Sequence, residues 1–178
     1  MFNRFFEGAG GPTLEESYEL GGYYLLNHSQ TPNAKGKTPL IIIGDENFYP
    51  ILRASEVKKF IGDDLPKDLQ SEDIFKALNQ KFDAYVLRQE ISYSEAQYNM
   101  IQKQWESVFG AQRVMRMKNY ERLVDCIIGI AGYAANNFNV SEDLLRRRQT
   151  PAQVDEVLKV MHPLLAKPKA NKKQGGKK

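Results

Sequence analysis

The strongest feature of the hydrophobic pattern is an aliphatic run between a proline and an acidic pair. Residues 38–46 read Thr-Pro-Leu-Ile-Ile-Ile-Gly-Asp-Glu. A strand with one exposed face would alternate apolar and polar residues, and this run does not. The pattern therefore predicts a strand that is buried on both faces, as in the centre of a parallel sheet covered by helices.

The rest of the pattern alternates helices with two more strands, which is typical of a parallel sheet with crossover helices. We expect an α/β protein with a Rossmann-like three-layer αβα fold, a small and mostly parallel sheet, and additional C-terminal helices. The further strands are predicted at 83–88 and 113–117, and helices at 13–28, 54–61, 71–82, 94–109, 120–136, 141–148 and 150–164. Capping boxes support three of the helix starts: Thr13 with Glu16, Ser94 with Gln97, and Thr150 with Gln153.

This prediction contains a conflict at the aliphatic strand. Its composition indicates a central position, yet nothing before it in the chain has the pattern of a strand that could pair on its far side. An exposed, flat, hydrophobic strand edge promotes unwanted pairing with other chains. The conflict indicates that a pairing partner for this strand is missing from the predicted elements.

The length of 178 residues fits one folded domain with extensions. Without the six lysines of residues 167–178, the net charge of +3 becomes −3, so the folded part is mildly acidic. The segment 167–178 is predicted to be a disordered Lys-rich tail, either simply solvated or in contact with acidic partners. No apolar stretch has the length of a membrane span and no signal-peptide pattern is present, so we expect a cytoplasmic protein.

Cysteine and histidine usage limits the chemistry. The single cysteine, Cys126, excludes an internal disulfide and a Cys-ligated zinc site, and its place in an apolar helix face predicts a buried, inert thiol. The two histidines, His28 and His162, are predicted at helix ends, and the sequence indicates no partner that would make either one part of a catalytic pair.

The first candidate functional residue is Asp45. Ligands of open α/β sheets bind at the carboxyl ends of the strands, where the strand order reverses, and Asp45 directly follows the aliphatic strand. A simpler interpretation is that Asp45 only caps the following turn. Thr13 likewise follows a glycine-rich segment but is also a good N-cap, and Glu46 fits a surface acid.

Several short motifs together resemble the C-terminal half of a von Willebrand factor A-like domain, over about residues 5–135. The resemblance implies a sheet order of 3-2-1-4-5-6, in which this chain supplies strands four to six. Strand one, the usual partner of strand four, would then be absent. It also implies a domain over 1–140, a helical extension over 141–166 and the tail. The motifs are Gly-Gly-Pro-Thr (10–13), Glu-Ser-Tyr-Glu-Leu (16–20), Ile-Ile-Ile-Gly-Asp-Glu (41–46), Phe-Asp-Ala-Tyr-Val-Leu (82–87) and Trp105…Phe109-Gly110…Arg113-Val114.

The resemblance implies an incomplete metal-ion-dependent adhesion site. Its Asp-x-Ser-x-Ser motif does not occur in this sequence. Thr13 matches the threonine of the site and Asp45 its strand-four aspartate, here in Gly-Asp-Glu rather than Thr-Asp-Gly. Glu46 is a further candidate oxygen ligand. Because a hard cation needs several oxygen ligands, we expect Mg²⁺ to bind weakly or only when a missing segment completes the site.

The function implied by the resemblance is a non-catalytic protein-interaction module. Its partner would be a protein, such as a component of an AAA+ ATPase-linked assembly or the missing N-terminal half of the domain. The predicted loop after Asp45 supplies the candidate partner-binding residues Asn47, Phe48 and Tyr49.

Two alternatives of other classes stay open. The first is a Mg²⁺-dependent enzyme that binds a nucleotide or phosphate, with the glycine-rich segment before Thr13 at a helix N-terminus and Asp45 and Glu46 at the metal. Against it, the segment lacks a Gly-Lys-Ser/Thr ending and no Ser/His/Asp arrangement is present. The second is contact with nucleic acid through basic residues, for which the candidates are Arg146, Arg147, Arg148, Lys172 and Lys173.

Overall fold

A computed structural model describes residues 14–90 and 94–166 of the chain. Its largest sheet is three-stranded and parallel, with the order β2–β6–β7. A parallel pair, β1 with β3, and an antiparallel pair, β4 with β5, complete the strands of these residues. The strands are β1 (Glu15–Glu16), β2 (Pro39–Gly44), β3 (Asn47–Phe48), β4 (Ile51–Leu52), β5 (Leu69–Gln70), β6 (Asp83–Gln89) and β7 (Val114–Met117).

Seven α-helices lie in the described ranges, which confirms the predicted α/β class. None of them combines the length and the apolar character that crossing a membrane requires. Short 3₁₀ turns at Ala111–Arg113 and Tyr120–Arg122 lead into β7 and α5. The α-helices are α1 (Tyr18–His28), α2 (Ala54–Phe60), α3 (Ser71–Lys81), α4 (Glu95–Phe109), α5 (Leu123–Ala134), α6 (Phe138–Arg148) and α7 (Pro151–Leu165).

Two of the three predicted capping boxes are confirmed. Ser94 caps α4 together with Gln97, and Thr150 caps α7 together with Gln153. The third capping box involves Thr13, which lies outside the described residues. The predicted helix start there is nevertheless wrong, since α1 begins only at Tyr18 and the preceding acids pair as β1 with β3.

The side chains of β6 alternate between two buried cores. Ala84 and Val86 belong to a core with α3 and α4, whereas Tyr85 and Leu87 belong to a core with α5, α6 and α7. Helices therefore cover both faces of the parallel sheet, an arrangement compatible with three layers. The second core unites Met115, Met117, Cys126, Ile130, Leu145, Val154, Val157, Met161 and Leu164.

The prediction that the aliphatic strand is central is wrong, because β2 lies at the edge of the described sheet and β6 at its centre. Residues 84–88 of β6 are all buried. In β2, by contrast, Leu40 and Ile42 pack partly against one core and Ile41 against the other, while Ile43 is 41% exposed. An aliphatic run shows that both faces meet helices, but it does not show whether a strand lies on each side.

Backbone geometry defines which groups of β2 face its open side. The amide of Asp83 donates to the carbonyl of Thr38, and Leu40 aligns with Ala84. In a parallel ladder alternate residues point their backbone groups to the same neighbour, so the even-numbered residues of β2 bond to β6. Ile41 and Ile43 therefore direct their N–H and C=O groups away from β6. Pro39, which has no N–H, also falls on this outward side, as expected for an edge strand.

Helices α1 and α3 run parallel to each other, joined at their C-terminal ends by one lysine. Lys81 Nζ donates to the carbonyl oxygens of Leu25, Leu26 and Ser29 at 3.1, 2.7 and 2.6 Å. These carbonyls lie at the end of α1, where intrahelical partners run out. Closer to the N-terminal ends, Gly22 of α1 lies against the ring of Phe75.

Replacing Lys81→Met is expected to destabilise the protein by about 1.5–3 kcal/mol, because hydrogen bonds to a charged donor are lost from partly buried carbonyls. Urea denaturation followed by circular dichroism measures this change. The matched control is Lys76→Met, which removes an exposed ion pair with Glu72 on the same helix and should cost at most about 0.5 kcal/mol. Equal effects of the two substitutions would contradict the capping role of Lys81.

Candidate functional site at the carboxyl edge and the open side of the sheet

Asp45 and Glu46 lie where the sequence predicted, directly after the end of β2. Three other candidate residues, Thr13, Lys172 and Lys173, lie outside the described residues. The described part of the candidate metal site thus consists of Asp45 and Glu46, with Glu16 of β1 as a neighbouring acid.

The backbone of Asp45 is held from both sides. Its amide donates to the hydroxyl oxygen of Tyr18 at 3.3 Å, and its carbonyl accepts from Nη2 of Arg88 at 3.3 Å. The Tyr18 ring packs edge-on against Trp105, with ring centroids 5.3 Å apart. Gly44 precedes Asp45 because a side chain there would overlap the phenol ring of Tyr18.

The Asp45 carboxyl group sits in a surplus of negative charge. Partial burial raises its pKa, and the neighbouring carboxylates of Glu16 and Glu46 raise it further. Among the described residues, no three His, Cys, Asp or Glu side chains are grouped closely enough to hold a metal ion. The negative charge of Asp45, Glu16 and Glu46 favours a nearby cation.

Arg88, at the carboxyl end of β6, is the buried charge of this edge and was not predicted. Only 1% of its surface is exposed. Besides the Asp45 carbonyl, its guanidinium donates to Gln102 Oε1 at 3.0 Å and to the carbonyl of Tyr98 at 3.4 Å. Burial lowers its pKa. Arg88 thus joins the end of β2 to α4, and an arginine ending an otherwise apolar strand was the available signal in the sequence.

A second arginine, at the end of β7, is already paired. The fork of Arg116 binds both carboxylate oxygens of Glu90, at 2.8 and 3.0 Å, and approaches Glu95 at 3.3 Å. Its guanidinium also lies 4.3 Å from the ring centroid of Tyr98. Because carboxylates occupy this fork, it is not set up to receive a phosphate group.

Asn47 and Phe48 were predicted in a loop as candidate partner-binding residues, and the prediction of a loop is wrong at these two positions. They form β3 rather than a loop tip, and they are 7% and 1% exposed. Gln104 of α4 bonds the amide and the carbonyl of Phe48 at 3.1 and 3.0 Å, and Trp105 donates to the carbonyl of Glu46 at 2.9 Å. The Phe48 ring packs 5.0 Å from that of Trp105. These two side chains therefore belong to the core, whereas Tyr49 is half-buried.

A buried acid, Glu19 of α1, anchors the segment that follows β3. Its carboxylate accepts a hydrogen bond from the Tyr49 amide at 3.1 Å, and the residue has no solvent exposure. Burial raises its pKa to about 7. Among the described residues, its second oxygen finds no hydrogen-bond partner, and neither does the side-chain oxygen of Asn47. A protonated Glu19 fits this environment better than an ionised one, because an unpaired buried carboxylate is strongly unfavourable.

The arginine cluster at the end of α6 is exposed. Arg146 pairs with Glu142 one turn earlier, at 2.5 Å. Arg147 and Arg148 occupy the last turn, where cations interact favourably with the helix dipole.

His28 has a carboxylate partner that the sequence did not indicate. Its Nε2 lies 2.7 Å from Asp63 Oδ2, and the hydroxyl of Tyr23 donates to the same oxygen at 2.9 Å. These hydrogen bonds, that from His28 foremost, lower the pKa of Asp63. The pair connects the C-terminal end of α1 to the segment between α2 and β5, at the opposite end of the helix from Asp45.

Helix α5, which contacts β2, has an apolar side. On α5, Gly129 lies against Met161 of α7, and α7 in turn contacts β7. Val124, Ile127 and Ala131 recur at helical spacing on the opposite side of α5. Because Gly129 faces Met161, this side of α5 faces away from α7, and α5 also contacts β2. Val124 is 64% exposed. We call Val124, Ile127 and Ala131 the α5 flank.

The comparisons with known proteins give no match: no protein-family model, no curated protein and no solved structure is significantly similar to this chain.

Gly44→Ala is expected to destabilise the protein by roughly 1–3 kcal/mol, because the added methyl group must displace Tyr18 from its place beside Trp105. Thermal unfolding measures the effect. Gly21→Ala is the matched control, since no atom lies within 4 Å of the added carbon and alanine favours a helix by about 0.5–1 kcal/mol. The two substitutions should therefore shift the melting temperature in opposite directions.

Glu19→Gln is expected to change the pH dependence of stability. Between about pH 4.5 and pH 7 the native protein holds a proton on Glu19 that the unfolded chain has released. The contribution of Glu19 to the free energy of unfolding of the wild type is therefore greatest below the pKa that Glu19 has in the unfolded chain. It falls as pH rises, by roughly 3 kcal/mol at most. Glutamine cannot ionise but retains an acceptor for the Tyr49 amide.

Urea denaturation of both proteins from pH 5 to pH 8 tests this expectation. The variant should gain stability relative to wild type as pH rises. Glu121→Gln removes the same charge from an exposed position and serves as the control. If the free energies of unfolding of the wild type and Glu19→Gln differ by the same amount at every pH in this range, Glu19 does not hold the proton.

Proposed function

We propose that this protein is a non-catalytic protein-interaction module that resembles the C-terminal part of a von Willebrand factor A-like domain. In this proposal it accepts an extended strand of a protein partner along the open side of β2. Main-chain hydrogen bonds supply affinity in such strand addition, and side-chain contacts supply specificity.

The observation that carries the proposal is the unprotected edge of β2. Within the described ranges β2 pairs only with β6, and the outward-facing positions are isoleucines, Ile41 and Ile43. Natural proteins protect edge strands with lysines, prolines, bulges or covering segments. Of these devices β2 carries only Pro39, at its first residue. Within the described residues this edge is apolar and carries little of the usual protection, which supports the proposal that another polypeptide covers it.

The α5 flank supports the same conclusion. A helix that is apolar all round is normally buried. Helix α5 combines the buried Cys126 and Ile130 on one side with the α5 flank on another. Because α5 contacts β2, a partner that supplies a strand to the open side of β2 would also come close to α5.

The strand order is consistent with the family resemblance. The order β2–β6–β7 corresponds to strands four, five and six of the implied sheet, and the open side of β2 is the position that strand one would occupy. The proposal does not require a metal ion. It also agrees with the hydrogen bonds that Arg88 and Arg116 each donate to other groups of the protein. Neither guanidinium is therefore positioned to bind a substrate.

Site-specific photo-crosslinking tests the proposal. A benzophenone side chain replaces Ile43, and the full chain is irradiated in an extract of its source cells. We expect one discrete crosslinked polypeptide, joined through a short apolar segment that mass spectrometry can locate. Met100 provides the control site, because it is an exposed apolar residue, 49% exposed, on α4.

A second substitution ties any crosslink to strand addition. Ile41→Pro removes an outward N–H but leaves the bonds between β2 and β6, so it should reduce crosslinking from position 43 several-fold. Crosslinks that are equally abundant from Met100, or that persist unchanged in the Ile41→Pro background, would contradict the proposal.

A further inference from the structure

We propose that the strand accepted by β2 is the β2 strand of a second copy of this chain, paired antiparallel about a two-fold axis. This inference rests on the proposed function, because it names the partner for the same edge. Pairing of this kind would join two three-stranded sheets into one continuous sheet. Two-fold dimers with self-complementary interfaces are the commonest oligomers.

The outward backbone groups of β2 are self-complementary. With the two-fold axis at Ile42, Ile41 of each copy faces Ile43 of the other. Each such pair can exchange both of its N–H···O bonds, as opposed residues do in an antiparallel ladder. The axis thus satisfies all outward donors of Ile41 and Ile43 at once.

The same register ends cleanly at both sides. It places Pro39 of one copy opposite Asp45 of the other. Pro39 has no N–H to leave unpaired, the Asp45 amide already donates to Tyr18, and the Asp45 carbonyl already accepts from Arg88. The ladder is therefore limited to Ile41 and Ile43, and it leaves no new buried donor unsatisfied at its ends.

Charge complementarity favours the second copy over an unrelated strand. Exposed lysines, Lys35 and Lys37, precede β2, and the acids Asp45 and Glu46 follow it. Antiparallel pairing brings the acidic end of each copy beside the basic end of the other. The surplus of negative charge around Asp45 would thereby gain cations from the other copy, which also selects the register.

The α5 flanks meet in the same arrangement. A two-fold axis perpendicular to the sheet keeps both copies of α5 on one face, on either side of the joined edges. Val124 and its flank neighbours on one copy then face those on the other. The dimer would cover the outward edge of β2 and bring the two α5 flanks together.

Light scattering coupled to size exclusion tests the inference with the full chain. The expected mass is twice the 20.4 kDa of one chain. Ile41→Pro and Ile43→Lys should each shift the mass to that of one chain, while Met100→Lys, which adds the same charge on α4, should not. Ile43→Lys alters only an exposed side chain, so it serves as the test if Ile41→Pro fails to fold.

Crosslinking between isotopically labelled and unlabelled chains identifies the contact. A benzophenone at position 43 should join the β2 peptides of two different copies. A single-chain mass up to about 100 µM protein, or a dimer unaffected by both β2 substitutions, would overturn the second-copy inference. A single-chain mass with a crosslink to a different polypeptide would overturn it but leave the proposed function standing, whereas a single-chain mass with no crosslink would overturn both.

Discussion

Pairing of backbone hydrogen bonds across the parallel sheet is the constraint on which the rest of the structure depends. The central strand β6 has a neighbour on each side, and its side chains fill a core on each face. Strand β2 has the same covering helices but only one paired side. Unpaired backbone groups are unfavourable wherever water is excluded, and within the described residues the outward groups of β2 have no strand partner.

The carboxyl edge is organised by side chains that bind backbone rather than ligand. Tyr18 and Arg88 hold Asp45, Trp105 holds Glu46, and Gln104 holds the strand β3 that follows. The consequence is a stiff connection whose polar side chains are committed to structure. The edge therefore presents negative charge to solvent, because the positive charge of Arg88 is buried below the surface.

The sequence predicted most elements because local signals define them. Capping boxes located the starts of α4 and α7, and Gly110, a glycine with a positive φ, ends α4. Signals that depend on distant residues were weaker. The burial of Phe48 depends on α3 and α4, and the pairing of His28 with Asp63 depends on a turn 35 residues away, so neither could be predicted from the local pattern.

The misplacement of β2 has a different physical origin. The hydrophobic pattern shows whether the two faces of a strand are covered. Its neighbours in the sheet are instead determined by backbone hydrogen bonds, which every sequence can make. The absence of another predicted strand before β2 was the stronger signal, and it agrees with the edge position. An edge whose faces are apolar but whose side is open differs from protected edges in natural proteins. That difference, rather than any single residue, is the observation that supports the proposed interaction with another polypeptide.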